Sequence, residues 1–128
     1  MIDAARIKNA EDGLGVTFPP VYRAWIRTRN GGTVRFKDET WTVNPIFDDT
    51  DRQTMRKTAS HVVADTSFVR NYPTFPKGGV SIAQLNVSRL VLVPKADASQ
   101  LGEQVYYWDP DSDEPELVAD DVIALDRR

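Results

Sequence analysis

The chain contains no cysteine and only one histidine, His61. The first absence excludes a disulfide framework, a thiol nucleophile and any cysteine-ligated zinc or iron–sulfur site. It also fits a reducing compartment. Long apolar runs are missing too. A membrane span needs roughly 18 consecutive apolar residues, and the longest strongly apolar run here is Leu90-Val91-Leu92-Val93, which is strand length. The N-terminal stretch MIDAARIKNAEDG is charged from Asp3 onward and has no apolar centre, so no secretory signal is read. These features lead us to expect a soluble, cytoplasmic protein with no membrane association. The glycines form no phosphate cradle. Gly31-Gly32 and Gly78-Gly79 are isolated pairs, neither G-x-G-x-x-G nor G-x-x-x-x-G-K-[ST] occurs, and both pairs read as turns. An excess of positive charge is absent as well: the net charge is −3, which argues against nucleic acid as a partner.

What is present suits one globular domain spanning residues 1–128, with 41% hydrophobic and 27% charged residues. A chain of this length buries roughly two-thirds of its unfolded surface, enough for one core without covalent staples. Its charge is unevenly spread. From Asp109 to Asp126 there are eight acids (Asp109, Asp111, Asp113, Glu114, Glu116, Asp120, Asp121, Asp126) and no Lys or Arg. Asp48, Asp49 and Asp51 form a second acidic group, while Arg23, Arg27, Arg29, Arg35 and Lys37 make the N-terminal third more basic. The ordinary reading of such clusters is solvated surface. The alternative is that the acids are kept for a partner.

The chain opens with helical signals. Asp3 can cap a helix over 4–14, where Ile7, Ala10 and Leu14 share one face and Gly15 is a natural stop. Pro20 suits the first turn of a second helix, with Tyr22, Trp25 and Ile26 on its apolar face and Asn30-Gly31-Gly32 at its end. Strands are expected at 33–37 and 40–44. A third helix is expected over about 51–70, with Thr50 and Gln53 at capping-box spacing and Met55, Ala59, Val62, Thr66 and Val69 down one side. The remainder reads as sheet. Val80, Ile82 and Leu85 lead into Arg89–Val93, and a polar loop over 95–103 connects that strand to Val105–Trp108. Leu117-Val118 reads as an edge strand, and Asp120 or Asp121 can cap a last short helix. The predicted class is α+β, a mainly antiparallel sheet with helices packed on it.

No catalytic constellation is visible. Asp65 lies four residues beyond His61, so the two could meet on a helix. The adjacent Ser60 would point about 100° away, which defeats a Ser–His–Asp triad. The repeat Asp109-x-Asp111-x-Asp113 lacks the glycine at position 6 and the glutamate at position 12 of a calcium loop, and reads as an acidic turn. No metal and no cofactor is expected. Asn86-Val87-Ser88 is a glycosylation sequon without a secretion signal, and carries nothing. In the run Tyr106-Tyr107-Trp108, alternation sends Tyr107 to one face of a strand and its two neighbours to the other. Any aromatic left exposed there would be a binding anchor.

Several of these segments together resemble the SUKH superfamily. Leu14-Gly15-Val16-Thr17-Phe18-Pro19-Pro20, Tyr22-Arg23-Ala24-Trp25 and Asn30-Gly31-Gly32 are similar to its opening signature: a helix, "LGv-x-LP", a tyrosine and a closing "NGG". Val105-Tyr106-Tyr107-Trp108-Asp109 and Val118-Ala119-Asp120-Asp121-Val122 are similar to its "V-Y-x-W-D" strand and "A-D-S-F" helix start. Where many members carry a Gly/Asp-rich turn before the central strand, this chain has Gln84-Leu85-Asn86-Val87-Ser88-Arg89, with no glycine. The resemblance implies an α+β fold, no enzymatic activity and no cofactor. It also implies a protein partner. Bacterial members are mostly immunity proteins that neutralise a toxin, often a nuclease or deaminase, and fungal members are regulators of cell-wall assembly. It transfers no individual contact residue.

The expected function is therefore that of an immunity-type protein occluding a cognate toxin domain, with a regulatory or scaffold module as the alternative. A basic toxin invites an acidic partner. The candidate contact residues are Asp48, Asp49, Asp51, Asp109, Asp111, Asp113, Glu114 and Glu116, followed by Tyr106 and Tyr107.

Overall fold

The computed structural model describes residues 1–96 and 99–126. Of the polar loop expected over 95–103, residues 97 and 98 lie outside the described residues. The N-terminal half follows local signals closely. Helix α1 (Ala4–Leu14) is capped by Asp3, whose Oδ1 accepts the Arg6 N–H at 2.8 Å, and ends at Gly15 with φ 69°. Ile7, Ala10 and Leu14 are buried, and so is Glu11. The Glu11 carboxylate accepts the Phe18 N–H at 2.7 Å and Arg23 Nη2 at 3.0 Å, tying the connection between helices to α1. Helix α2 (Pro20–Arg29) has no side-chain cap at Pro19. It ends at Asn30, whose side chain brackets Ile46 by accepting its N–H and donating to its carbonyl. The Asn-Gly-Gly stop therefore also anchors a distant loop.

Among the described residues, six strands form one antiparallel meander in the order β1 (Thr33–Phe36), β2 (Glu39–Val43), β3 (Val80–Leu85), β4 (Ser88–Leu92), β5 (Val105–Trp108), β6 (Glu116–Ala119). Lys37 and Asp38 both take positive φ and close the first hairpin with a two-residue turn. The β3–β4 turn needs the same conformation and obtains it from Asn86, at φ 53°. Asparagine tolerates this region better than most residues, which explains how the turn dispenses with glycine.

Sequence spacing misplaces the third helix. In place of one helix over 51–70 there are two, α3 (Arg52–Lys57) and α4 (Val62–Val69). Asp51, not Thr50, caps α3 by accepting the Thr54 N–H at 2.8 Å. His61 caps α4, its Nδ1 accepting the Ala64 N–H at 3.2 Å. Between them the Thr58 hydroxyl accepts the Asp48 N–H and donates to Thr54 carbonyl oxygen, which draws the break toward the loop after β2. Met55, on the expected apolar side, is consequently exposed.

The register sorts the sheet into two faces. Val43, Ala83, Leu90 and Tyr107 align on one, and Thr42, Gln84, Arg89 and Trp108 on the other. The first face carries the main core, which includes Ile7, Phe18, Tyr22 and Ile26 and, from the last helix α5 (Val122–Asp126), Val122 and Leu125. Behind the sheet a smaller core joins Val69, Phe75, Val91 and Trp108. The sheet is curled. Two strands separate β2 from β5, yet the Tyr107 ring lies 5.9 Å from Trp41 and 6.0 Å from Phe36, and Lys37 Nζ is 3.7 Å from the Glu116 carboxylate.

Candidate functional site

The curl and the register decide where the acidic groups fall. Asp48, Asp49 and Asp51 follow the C-terminal end of β2, whereas Asp109–Glu116 join β5 to β6. Thr42, Gln84, Arg89 and Trp108 are in register, so the first loop leaves one end of the sheet and the second leaves the other. The fold does not bring the two groups together, because an antiparallel meander places alternate connections at opposite ends.

The two groups also differ in how they are used. Arg6 on α1 pairs with Asp48 at 3.4 Å and Asp49 at 2.8 Å, as well as with Asp3. The Thr50 hydroxyl and amide hold the Asp48 carboxyl below the ordinary carboxylate range, with Arg6 adding to the effect. Asp51 is a helix cap, and its bonds from Thr54 lower its pKa likewise. All three are committed to partners within the fold.

At the other end, several acids are committed as well. Asp109 Oδ1 accepts the Asp111 N–H at 2.8 Å, the local turn chemistry expected of this segment, and its Oδ2 takes the Tyr107 hydroxyl. Glu116 pairs with Lys37. Asp121 caps α5, and Asp126 accepts Trp25 Nε1 at 2.6 Å and pairs with Arg29. The side chains of Asp111, Asp113 and Glu114 are different. All three are exposed and make no hydrogen bond or ion pair among the described residues. No grouping of three or more His, Cys, Asp or Glu suited to a metal occurs among the described residues.

The aromatic run divides as alternation requires. Trp108 is fully buried in the smaller core, with Nε1 donating to the Thr74 carbonyl at 3.1 Å. Tyr107 is half-buried under Phe36 and Trp41, with Lys37 Nζ 4.6 Å from its ring centre. Tyr106 is half-buried on the same side as Trp108. Around Trp108 runs a surface strip that sequence inspection overlooks: Phe68 packs on Tyr72 at 5.9 Å, and Tyr72 on Trp108 at 5.7 Å. Leu117 is paired with Tyr106 across β5 and β6. Phe68 is 56% exposed and Leu117 51%. The spacing of Phe68 and Tyr72, four apart on a helix and its exit, was the available signal.

His61 and Asp65 do not form a pair. Asp65 is buried and holds Arg89 through two bonds, at 2.8 and 3.1 Å, while also accepting from Asn44 and Ser81. His61 packs on Phe47, and burial lowers its pKa. No local pattern in the sequence marks Arg89 for this role, because the residue that meets it lies 24 positions away. A groove of about 540 Å³ opens between α1 and residues 46–63, lined by Arg6, Asn9, Ile46, Phe47, His61 and Val63 among others. None of the described helices is long and apolar enough to cross a membrane.

Compared with known proteins, residues 1–125 match the model of the family described as SMI1 / KNR4 family (SUKH-1). No curated protein and no solved structure matches.

Proposed function

Since this chain belongs to the SMI1 / KNR4 family (SUKH-1), we propose that it is an immunity-type protein that binds a cognate toxin domain and neutralises it by occlusion. The observation that carries this reading is the β5–β6 turn, which presents Asp111, Asp113 and Glu114 exposed and, among the described residues, with no side-chain partner. Uncompensated like charges repel one another and contribute little to folding. They become useful opposite a basic surface, where they speed encounter and reject wrong partners. Nucleases and other enzymes acting on nucleic acid present such surfaces. Occlusion requires no bond-making, so in this reading the chain is not an enzyme, has no cofactor and works in the cytoplasm where the toxin would act.

The test is a pull-down with the chain as bait, followed by co-expression of the chain with the toxin domain so recovered. Growth should be restored by the wild-type chain. Reversing Asp111, Asp113 and Glu114 to Lys should slow association by about tenfold or more at low salt, the scale of electrostatic steering. Failure to protect, with both proteins soluble, would refute the immunity reading. The groove beside α1 favours a second reading, a regulatory scaffold, because it gives the molecule a concave surface at the opposite end of the sheet from the β5–β6 turn. Two partners bound at once would support the scaffold.

A further inference from the structure

Two surfaces compete as a docking face, and their electrostatics separate them. In the groove beside α1, Arg6 is already matched by Asp3, Asp48 and Asp49, so little charge is left to recognise a partner. The strip behind the sheet is the reverse case. Its apolar members Phe68 and Leu117 are more than half exposed, and Tyr72 and Tyr106 are partly buried beside them. Its border is the turn bearing Asp111, Asp113 and Glu114, bound to the strip's floor where the Thr74 hydroxyl donates to the Pro110 carbonyl at 3.1 Å.

We propose that Phe68, Tyr72, Tyr106 and Leu117 anchor a docking surface whose occupant is a protein segment carrying basic side chains interleaved with aliphatic ones. This rests on the occlusion reading above and adds to it the place of contact and the chemistry of the contacting segment. The rings are pre-organised. Tyr72 and Phe75 both meet Trp108 edge-on, at 5.7 and 5.0 Å, and Trp108 is fixed to Thr74. Anchors held this way lose little freedom on binding. Lysine and arginine suit such a border because their stems lie on apolar surface while their charged ends reach carboxylates. Arginine stacks on exposed aromatic faces as well. The division of labour follows: free acids govern the association rate, and the apolar strip governs dissociation.

The probe is a short peptide alternating arginine and leucine, titrated into the isotope-labelled full chain, with a peptide alternating glutamate and leucine as control. Shifts should concentrate at Phe68, Tyr72, Tyr106, Leu117 and the 109–114 turn, and the glutamate peptide should produce none. A Phe68→Ser/Leu117→Ser variant should bind at least about tenfold more weakly, the loss that removal of central anchors produces. Because both residues are exposed, the variant should keep the wild-type spectrum elsewhere, which guards against misreading a folding defect. Absence of binding, shifts centred on Arg6, Phe47 and His61, or unchanged affinity in the variant would each overturn the proposal. None of these outcomes bears on toxin neutralisation, which the co-expression test decides separately.

Discussion

At the scale of single residues, His61 couples a helix end to pH. Its Nδ1 accepts the Ala64 N–H only while the ring is neutral. Burial lowers its folded pKa below the ordinary 6.5, so between those two values the unfolded chain binds more protons than the folded one. The contribution is complete above pH 6.5 and is lost as pH falls through the lowered folded value. Urea midpoints recorded across this window should decline toward acid in wild type and decline less in His61→Asn, which keeps a cap that does not titrate. Identical slopes would show that the cap is unimportant. Tyr22 makes a different prediction. Its hydroxyl is buried with no hydrogen-bond partner among the described residues, and burial raises its pKa. Tyr22→Phe should hold stability or raise it by up to about 1 kcal/mol, since an unmatched buried hydroxyl carries a desolvation cost; a clear loss in thermal unfolding would point to a bonded hydroxyl. Trp25 is 5% exposed, and its Nε1 is bonded to Asp126. Trp25→Ala should lose roughly 3–5 kcal/mol, and a loss under about 1 kcal/mol would contradict its burial.

At the scale of elements, α4 is fastened to the sheet by charge as well as by packing. Asp65 reaches Arg89 on β4 and Ser81 on β3, while the Thr66 hydroxyl accepts the Ser81 N–H at 3.0 Å. Both members of the ion pair are nearly inaccessible, at 5% and 8% side-chain exposure. Removing one partner strands the other, a loss of roughly 3–5 kcal/mol. Arg89→Met and Asp65→Leu should therefore each destabilise strongly, and the double variant should lose clearly less than their sum. Chemical denaturation of all four proteins closes this cycle. Additive losses would mean that Asp65 and Arg89 act independently, and that Asn44 and Ser81 supply most of the fastening. The same network explains why α4 stands apart from α3: Asp65 must face inward, and His61 starts the helix afresh to aim it.

For the whole molecule, the proposed function rests on charge at one end of a curled sheet. Reversing Asp111, Asp113 and Glu114 to lysine should leave the melting temperature within a few degrees, because exposed unpaired charges contribute about 0–1 kcal/mol. Thermal unfolding of the triple variant checks this. Added salt should narrow the difference in association rate between wild type and variant, since screening acts over roughly 10 Å at 0.1 M. Equal rates at low salt would move the interface off the β5–β6 turn. Lys37 moderates this end by pairing with Glu116 and lying over Tyr107, so Lys37→Ala should leave the end more acidic and, on the proposed function, quicken capture of a basic partner.

What the sequence determined by itself is whatever local chemistry controls. Asp3 and Gly15 bound α1 because cap and stop act within a few residues, and the Asn-Gly-Gly stop ended α2 for the same reason. Alternation correctly parted Tyr107 from Trp108, since strand period is fixed by the backbone. The α+β class followed from helical patterns preceding strand patterns, and the family from motifs whose order survives folding. Helical periodicity failed over 51–70, where Asp51 and His61 supplied two caps and Thr58 bonded to a loop ten residues earlier. Only the tertiary structure decided that Asp65 belongs to Arg89 rather than His61, that the two acidic groups leave opposite ends of the sheet, and that Asp111, Asp113 and Glu114, alone of the candidate acids, have no side-chain partner among the described residues. Each is a relation between residues far apart in the chain. Composition counts charges, but pairing is set by which strands meet and by how far the sheet curls.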